Sequence, residues 1–249
     1  MIIDVHAHLG YDCVFDWVTT EEELINCYIE YGIDGAIVQP LLNRPYIKDT
    51  IEIHNRIYNL CQKFPGKFWG MACINPHFRH EDYKIEAERC IKELGFVALK
   101  LNPQGHATHP ATEDGFFVFE CAKNLNVPVM VHTGVEGISF SDPVSLLQVA
   151  EKFRNVKIIL AHAGSDSHFQ QALYLAKKFP NIYIEPSWLN ILSLQTVIKE
   201  IGAEKVMFST DEPTNAPVEL AKYRAAIKDK NALEQALSGT AIKVFNLKF

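Results

Sequence analysis

Ile2-Ile3-Asp4-Val5-His6-Ala7-His8, at the head of the chain, reads as a β-strand whose apolar run breaks into two histidines. A dinucleotide-binding open sheet needs G-x-G-x-x-G directly after its first strand. Here the first strand ends in Asp4-Val5-His6-Ala7-His8 instead, and that difference carries most of the fold argument. Working outward, further apolar runs occur at Ile33–Gln39, Phe68–Ile74, Phe96–Leu101, Val127–His132, Val156–Ala161, Ile182–Glu185 and Val206–Ser209. Their starts recur roughly every 25–35 residues, the period of a strand–helix unit. Strands that are apolar almost throughout imply a sheet covered on both faces, hence a parallel one.

The intervening stretches carry helix signals. Thr20 with Glu23 reads as a capping box ahead of Leu24, Ile25 and Ile29, and Gly32 ends that helix. Asp142-Pro143 offers an N-cap and a first-turn proline before Leu146, Leu147 and Ala150. Lys177-Lys178-Phe179-Pro180 places cations at a helix end and then a stop, and Ala232–Leu247 reads as one or two closing helices. No Pro/Gly/Ser linker and no charge block marks a boundary. Eight strand–helix units in 249 residues predict an α/β fold, a TIM-like (β/α)8 barrel forming one domain over residues 1–249.

Composition narrows the function. With 48% hydrophobic and 22% charged residues the chain is globular rather than disordered. Thirty acids against 24 bases give a net charge of −6 and no basic stripe in the sequence, which argues against a nucleic-acid or anionic-membrane partner. Six cysteines, none in a C-x-x-C pair, read as buried free thiols. The start enters a strand at once, which leaves no room for a leader, and no apolar run reaches membrane-spanning length. A reducing cytoplasm is the expected compartment.

In a barrel enzyme the chemistry sits at the C-terminal ends of the strands. Polar residues at those ends are His6 and His8, then Lys100, His132, His162 and Asp211. Two histidines two apart on a strand share a face and suit a divalent metal, although a lone H-x-H equally describes two hydrogen-bonded core histidines. His132 and His162 each close an apolar strand, a place where a satisfied core histidine is the ordinary alternative. Asp211 before Glu212-Pro213 also suits a turn or cap. Together, four histidines and an aspartate at the ends of four strands are hard to assign to packing.

These stretches resemble the amidohydrolase superfamily, in the amidohydrolase-related branch of small hydrolases, lactonases and non-oxidative decarboxylases. The resemblance runs through Ile3–His8, Gly95–Leu101, Val129–Gly134, Ile159–Gly164, Phe208–Pro213 and the ending Gly239–Leu247, and so covers essentially the whole chain. It implies a distorted barrel with one catalytic divalent ion per chain, zinc or another transition metal such as manganese. His6, His8, His132 and Asp211 would be its ligands, and His162 a catalytic or substrate-orienting base. Ser209-Thr210 stands where the family often has Gly-Ser, and the chain is shorter than the branch's decarboxylases. Lys100 is either a carboxylated lysine bridging two metals, as in binuclear relatives, or a free cation binding an acidic substrate group; the branch favours the second.

The expected reaction is hydrolysis of a small carbonyl compound, such as a lactone, amide or ester, by water activated on the metal. Asp211 would accept the proton and His162 would assist. Decarboxylation of an unsaturated or aromatic acid on the same site is the enzymatic rival. A metal-free lactonase and a non-catalytic binding barrel are further alternatives. The expected partner is a small molecule, an acidic one if Lys100 is its free cation, with a homo-oligomer left open. His106 and His109, Arg44 and Tyr46 as a carboxylate clamp, and Glu185 and Trp188 as pocket lining are each weighed against ordinary loop or packing roles.

Overall fold

A computed structural model describes residues 1–12, 16–41 and 46–249. The strands are β1 (Ile3–Asp12), β2 (Trp17–Thr19), β3 (Gly35–Pro40), β4 (Phe68–Cys73), β5 (Ala98–Leu101), β6 (Val129–His132), β7 (Ile158–Ala161) and β8 (Ile182–Glu185). They form one sheet in the order β2-β1-β3-β4-β5-β6-β7-β8, parallel except for β2, which pairs antiparallel with the far end of β1. No Asn-Gly or Gly-rich turn announces that hairpin in the sequence.

The cylinder closes through the segment 206–211. Val206 bridges Ile184, and Asp211 bridges Ala7. Met207 N–H donates to the Ile184 carbonyl at 3.0 Å, and Val5 N–H to the Phe208 carbonyl at 3.1 Å. The expected eighth strand over Val206–Ser209 is therefore an extended segment with isolated bridges rather than a continuous ladder. The reason is local. Phe208 N–H donates to the Ala236 carbonyl (2.9 Å) and Thr210 N–H to Asp4 Oδ1 (3.1 Å), so two ladder donors are already committed. Asp4 clasps the seam. Its carboxylate also accepts from His6 N–H (3.0 Å), Tyr28 Oη (2.9 Å) and Thr210 Oγ1 (2.5 Å).

A register irregularity decides which side chains face the interior. Ile3 and Val5 belong to the inner core with Ile37, Met71, Met130, Ile159 and Met207. Ala7 and Leu9 belong to the outer core between sheet and helices. The pairing of β1 with β3 shifts between Asp4 and Ala7, and such a shift exchanges the two faces of a strand. His6 and His8 consequently share the interior with Val5. On the other strands the parity is unbroken, so Lys100 follows Ala98 and His132 follows Met130 above the apolar plug.

The helices follow their signals with one exception. Thr20 and Glu23 form the reciprocal capping box, and Gly32 ends that helix at φ 67°. Helix Ser165–Lys178 stops before Pro180, and the closing segment is helix Lys230–Glu234, a π-turn and helix Thr240–Phe245. Asp142, by contrast, makes no side-chain cap: Pro143–Leu146 is a 3-10 turn, and the α-helix begins only at Leu147. Cys27, Cys73, Cys90 and Cys121 are buried and outside any disulfide, as is half-buried Cys61, and Cys13 lies outside the described residues. Among the described residues no helix is long and apolar enough to cross a membrane.

One polar knot lies outside the barrel. Cys73 N–H donates to His54 Nε2 (3.1 Å), so His54 carries its proton on Nδ1 and donates to Glu86 Oε1 (2.6 Å). Arg89 clamps the same carboxylate with two bonds of 2.8 Å. Both nitrogens of His54 are committed, so this group is a structural relay and not an ion site despite its nearby Cys90 thiol. Burial works against the charge on Glu86, yet His54 and Arg89 draw it down to about 2, while burial lowers His54 below its ordinary 6.5. Both shifts act in one direction. The unfolded chain binds more protons, so stability is fully present above 6.5 and falls as pH drops through 6.5, then through 4.5 toward 2. Thermal melts across that range are expected to show this acid limb, and Glu86→Gln is expected to lower the neutral melting point while flattening the lower part of the limb.

Candidate metal centre

The middle of β1, which continues to Asp12 instead of ending at His6–His8 as expected, meets the ends of β5, β6 and β7 and the closing segment, and together they bring the sequence's polar residues to one rim. His6 Nδ1 donates to Glu185 Oε2 at 2.8 Å, and His8 Nδ1 to the Pro40 carbonyl at 3.0 Å. Each acceptor lacks a hydrogen to give, so both imidazoles are held as the tautomer with a bare Nε2. Those two Nε2 atoms lie 3.1 Å apart, and Asp211 Oδ1 sits 3.2 Å from one and 3.4 Å from the other. Three lone-pair atoms thus converge with neither imidazole carrying a proton toward the others, and the cation that meets them is the Lys100 ammonium, 2.9 Å from His6 Nε2.

The spacing suits a metal ion. Tetrahedral bonds of about 2.0–2.1 Å give donor–donor edges of roughly 3.3–3.4 Å, and octahedral bonds of that length give about 3 Å. The observed separations span both. His162 joins this set: its ligand atom lies within 4.8 Å of those of His6 and Asp211. His132 meets the group through His162, with ring centroids 4.7 Å apart and edge to face. His162, assigned a base's role by sequence, therefore lies nearer the His6–Asp211 pair than a purely peripheral base would.

Electrostatics follow from burial. His6 is fully buried, and burial with the Lys100 charge beside it lowers its pKa to about 3, so it stays neutral. Burial, His162 and Lys100 likewise hold His132 well below the ordinary histidine range. Burial alone would raise Asp211, but the facing imidazoles of His6, His162 and His8 keep it well below the usual carboxylate range. Lys100 is 2% exposed; its Nζ donates to His6 Nε2 at 2.9 Å, and burial lowers its pKa to about 8.

Two residues weighed as packing prove to be supports. Glu185 binds His6 and accepts from His162 N–H (3.3 Å), Ser187 N–H (2.6 Å) and Ser209 Oγ. Trp188 Nε1 donates to Asp211 Oδ2 at 2.8 Å, leaving Oδ1 for the cluster. Ser187 Oγ, 2.8 Å from His162 Nδ1, and Gln39 Nε2, 3.4 Å from His8 Nε2, were not singled out by sequence. The end of an apolar run was the signal for Glu185, and equally for Gln39, which closes the run Ile33–Gln39. His106 is buried on the short helix Pro103–His106 with its Nε2 unpartnered, whereas His109 is exposed. Tyr46 is 68% exposed, and Arg44 lies outside the described residues.

Backbone geometry shows what the site demands. His162, Trp188 and Asp211 have φ of 61°, 68° and 65°, a left-handed conformation that costs non-glycine residues of order 1–3 kcal/mol each. Thr133 staples β6 to β7, donating to the Ala161 carbonyl (2.6 Å) and accepting from Gly164 N–H (2.9 Å). Gly134 lies against that staple at φ 93°, where a Cβ would stand 2.3 Å from the Gly164 carbonyl carbon. Gly134→Ala is therefore expected to cost about 1–3 kcal/mol in a denaturant titration and to lower activity by displacing His132 and His162.

Comparison with known proteins agrees with this architecture. The family model for amidohydrolases matches residues 3–247. A 2-keto-4-carboxy-3-hexenedioate hydratase from Sphingobium sp. is 27% identical over 179 residues, spanning 59% of this chain and only about half (52%) of that protein. Solved structures with the same fold include 2,6-dihydroxybenzoate decarboxylase from Rhizobium (TM-score 0.80, 16% identity, 99% and 98% of the two chains). A dihydroxybenzoic acid decarboxylase from Polaromonas sp. JS666, with bound manganese and 2-nitroresorcinol, superposes with TM-score 0.79 at 18% identity over 99% and 97% of the chains. 4-Oxalomesaconate hydratase from Rhodopseudomonas palustris does so with TM-score 0.72 at 19% identity over 99% and 96%. A family match from the first strand to the closing helix, on a barrel whose rim gathers the histidines and the aspartate, places this chain in the amidohydrolase family.

Proposed function

We propose that this chain is a metal-dependent enzyme that adds water to an electrophilic carbon of a small, carboxylate-bearing carbonyl compound. Where the substrate has a leaving group, as in a lactone, amide or ester, the outcome is hydrolysis; at a conjugated double bond it is hydration. The observation that carries this reading is the convergence of His6 Nε2, His8 Nε2 and Asp211 Oδ1 within 3.1–3.4 Å of one another. His6, His8 and Asp211 would hold the ion, with His132 and His162 beside it. A divalent ion there supplies a Lewis acid and brings the pKa of water toward neutrality.

The chain's own groups do the rest. Glu185 and the Pro40 carbonyl fix the two imidazoles. Trp188 turns Asp211 so that Oδ1 accepts a proton from the attacking water and returns it to the departing or newly saturated atom. His162, oriented by Ser187, stabilises the oxyanion that forms. Lys100, uncarboxylated and buried, pairs with a substrate carboxylate. An acidic substrate is consistent with the polycarboxylate named for the Sphingobium hydratase.

Decarboxylation is the second reading, supported by the two decarboxylases that share the fold and by a buried cation able to receive a carboxylate. The metal-loaded protein should be assayed against lactones, amides and unsaturated or aromatic carboxylates in heavy-oxygen water. Label in the product without carbon dioxide release supports water addition. Carbon dioxide without label replaces it with decarboxylation. Stoichiometric metal with no turnover of either class overturns both.

A further inference from the structure

At the opposite rim, the N-terminal ends of β5, β6 and β7 and the closing helix surround a cavity of about 890 Å³. Four lysines line it, Lys123, Lys157, Lys243 and Lys248, with no aspartate or glutamate among the lining residues. Among the described residues none of the four has a carboxylate within ion-pair distance, which is also true of lysines elsewhere such as Lys67 and Lys199; what sets these four apart is that they share one acid-free recess. In a chain with more acids than bases, this local reversal of sign is not what even dispersal would produce.

Ordinary structural roles explain part of it. Lys157 Nζ donates to the Lys243 and Val244 carbonyls (3.3 and 2.9 Å), capping the last helix, and Lys123 sits in the final turn of helix Glu113–Leu125. Helix ends attract cations, but they do not exclude acids from the walls between them. Like charges gathered in a concave, partly apolar recess raise one another's energy, and an anion entering the recess relieves them. Burial and neighbouring Lys243 both depress the Lys157 ammonium pKa, as an unneutralised cluster requires. Trp69, Phe96 and Val156 give the recess an apolar floor.

We propose that this cavity is a binding site, separate from the metal centre, for a small molecule carrying at least two acidic groups on an apolar frame. The bottom of a barrel serves stability rather than catalysis, so occupancy acts by stabilising the fold.

Calorimetry and thermal melts should be run at about 0.15 M salt with benzene-1,3-dicarboxylate, adenosine diphosphate and pyrophosphate as probes. The expected result is saturable binding with a raised melting point for at least one probe carrying an apolar frame. Lys123→Glu/Lys243→Glu, at exposed positions, should weaken it at least tenfold and leave turnover unchanged. Lys100→Met should bind the probe as wild type does. The proposal is overturned if no probe binds saturably, if the lysine pair variant binds like wild type, or if Lys100→Met abolishes binding, which would place the anion at the metal centre.

Discussion

Asp211→Asn is expected to lower turnover by about a thousandfold or more while moving the melting point by no more than a few degrees. The two readouts separate because of where the residue sits. Its backbone is left-handed at φ 65°, a conformation asparagine tolerates as well as aspartate, so the substitution adds no strain. The amide oxygen can still accept from Trp188 Nε1, now 2.8 Å from Oδ2. What disappears is the negative charge facing His6 and His8 and the capacity to accept a proton, a contribution worth about 10²–10⁴-fold for a general base before any loss of ion binding. Steady-state kinetics beside a thermal melt checks it. A variant of unaltered turnover removes Asp211 from the mechanism, and a large fall in stability makes the residue structural.

The second large effect concerns metal content. Purified wild type should carry about one divalent ion per chain, and His6→Ala/His8→Ala less than about a tenth of that by elemental analysis. Removing two of the three donors that converge leaves Asp211 alone at their meeting point, with His132 and His162 beside it, and affinity falls with the ligands lost. Glu185→Gln gives a graded control. It leaves both donors in place but removes the charge that holds His6 in its tautomer, and outer partners of this kind are worth about 10–100-fold in metal affinity. Undiminished metal in the double variant would refute the ligand assignment. Content equal in Glu185→Gln and wild type, even against a competing chelator, would remove Glu185 from the support of the site.

Much of this was legible in the chain itself. Apolar runs ending in His132 and His162 mark strand ends because a covered parallel sheet demands continuous hydrophobicity, whereas the first strand runs on past His6 and His8 to Asp12, because its far end finds a partner in β2. Other features depended on partners far away in sequence. The inward turn of His6 and His8 depends on a register shift against β3, which no local pattern encodes. Glu185 reaches His6 across 179 residues, and Trp188 reaches Asp211 across a loop, so both read as packing until the ring closes. The closing strand was placed correctly but overstated, because its ladder donors go to Ala236 and Asp4. The four lysines come from three separate segments, and an even sprinkling of charge along the sequence concealed a local excess in space.

The way the cylinder closes has its own effect on endurance. Its last stave is tacked to both neighbours by single bridges and one acidic knot, while the other joints are ladders of several paired residues. Opening begins where fewest bonds must part. A warm molecule will therefore unbutton at this hem first, swinging Asp211 away from the imidazoles while the remaining staves stay laced, so that heat silences the enzyme before it melts it.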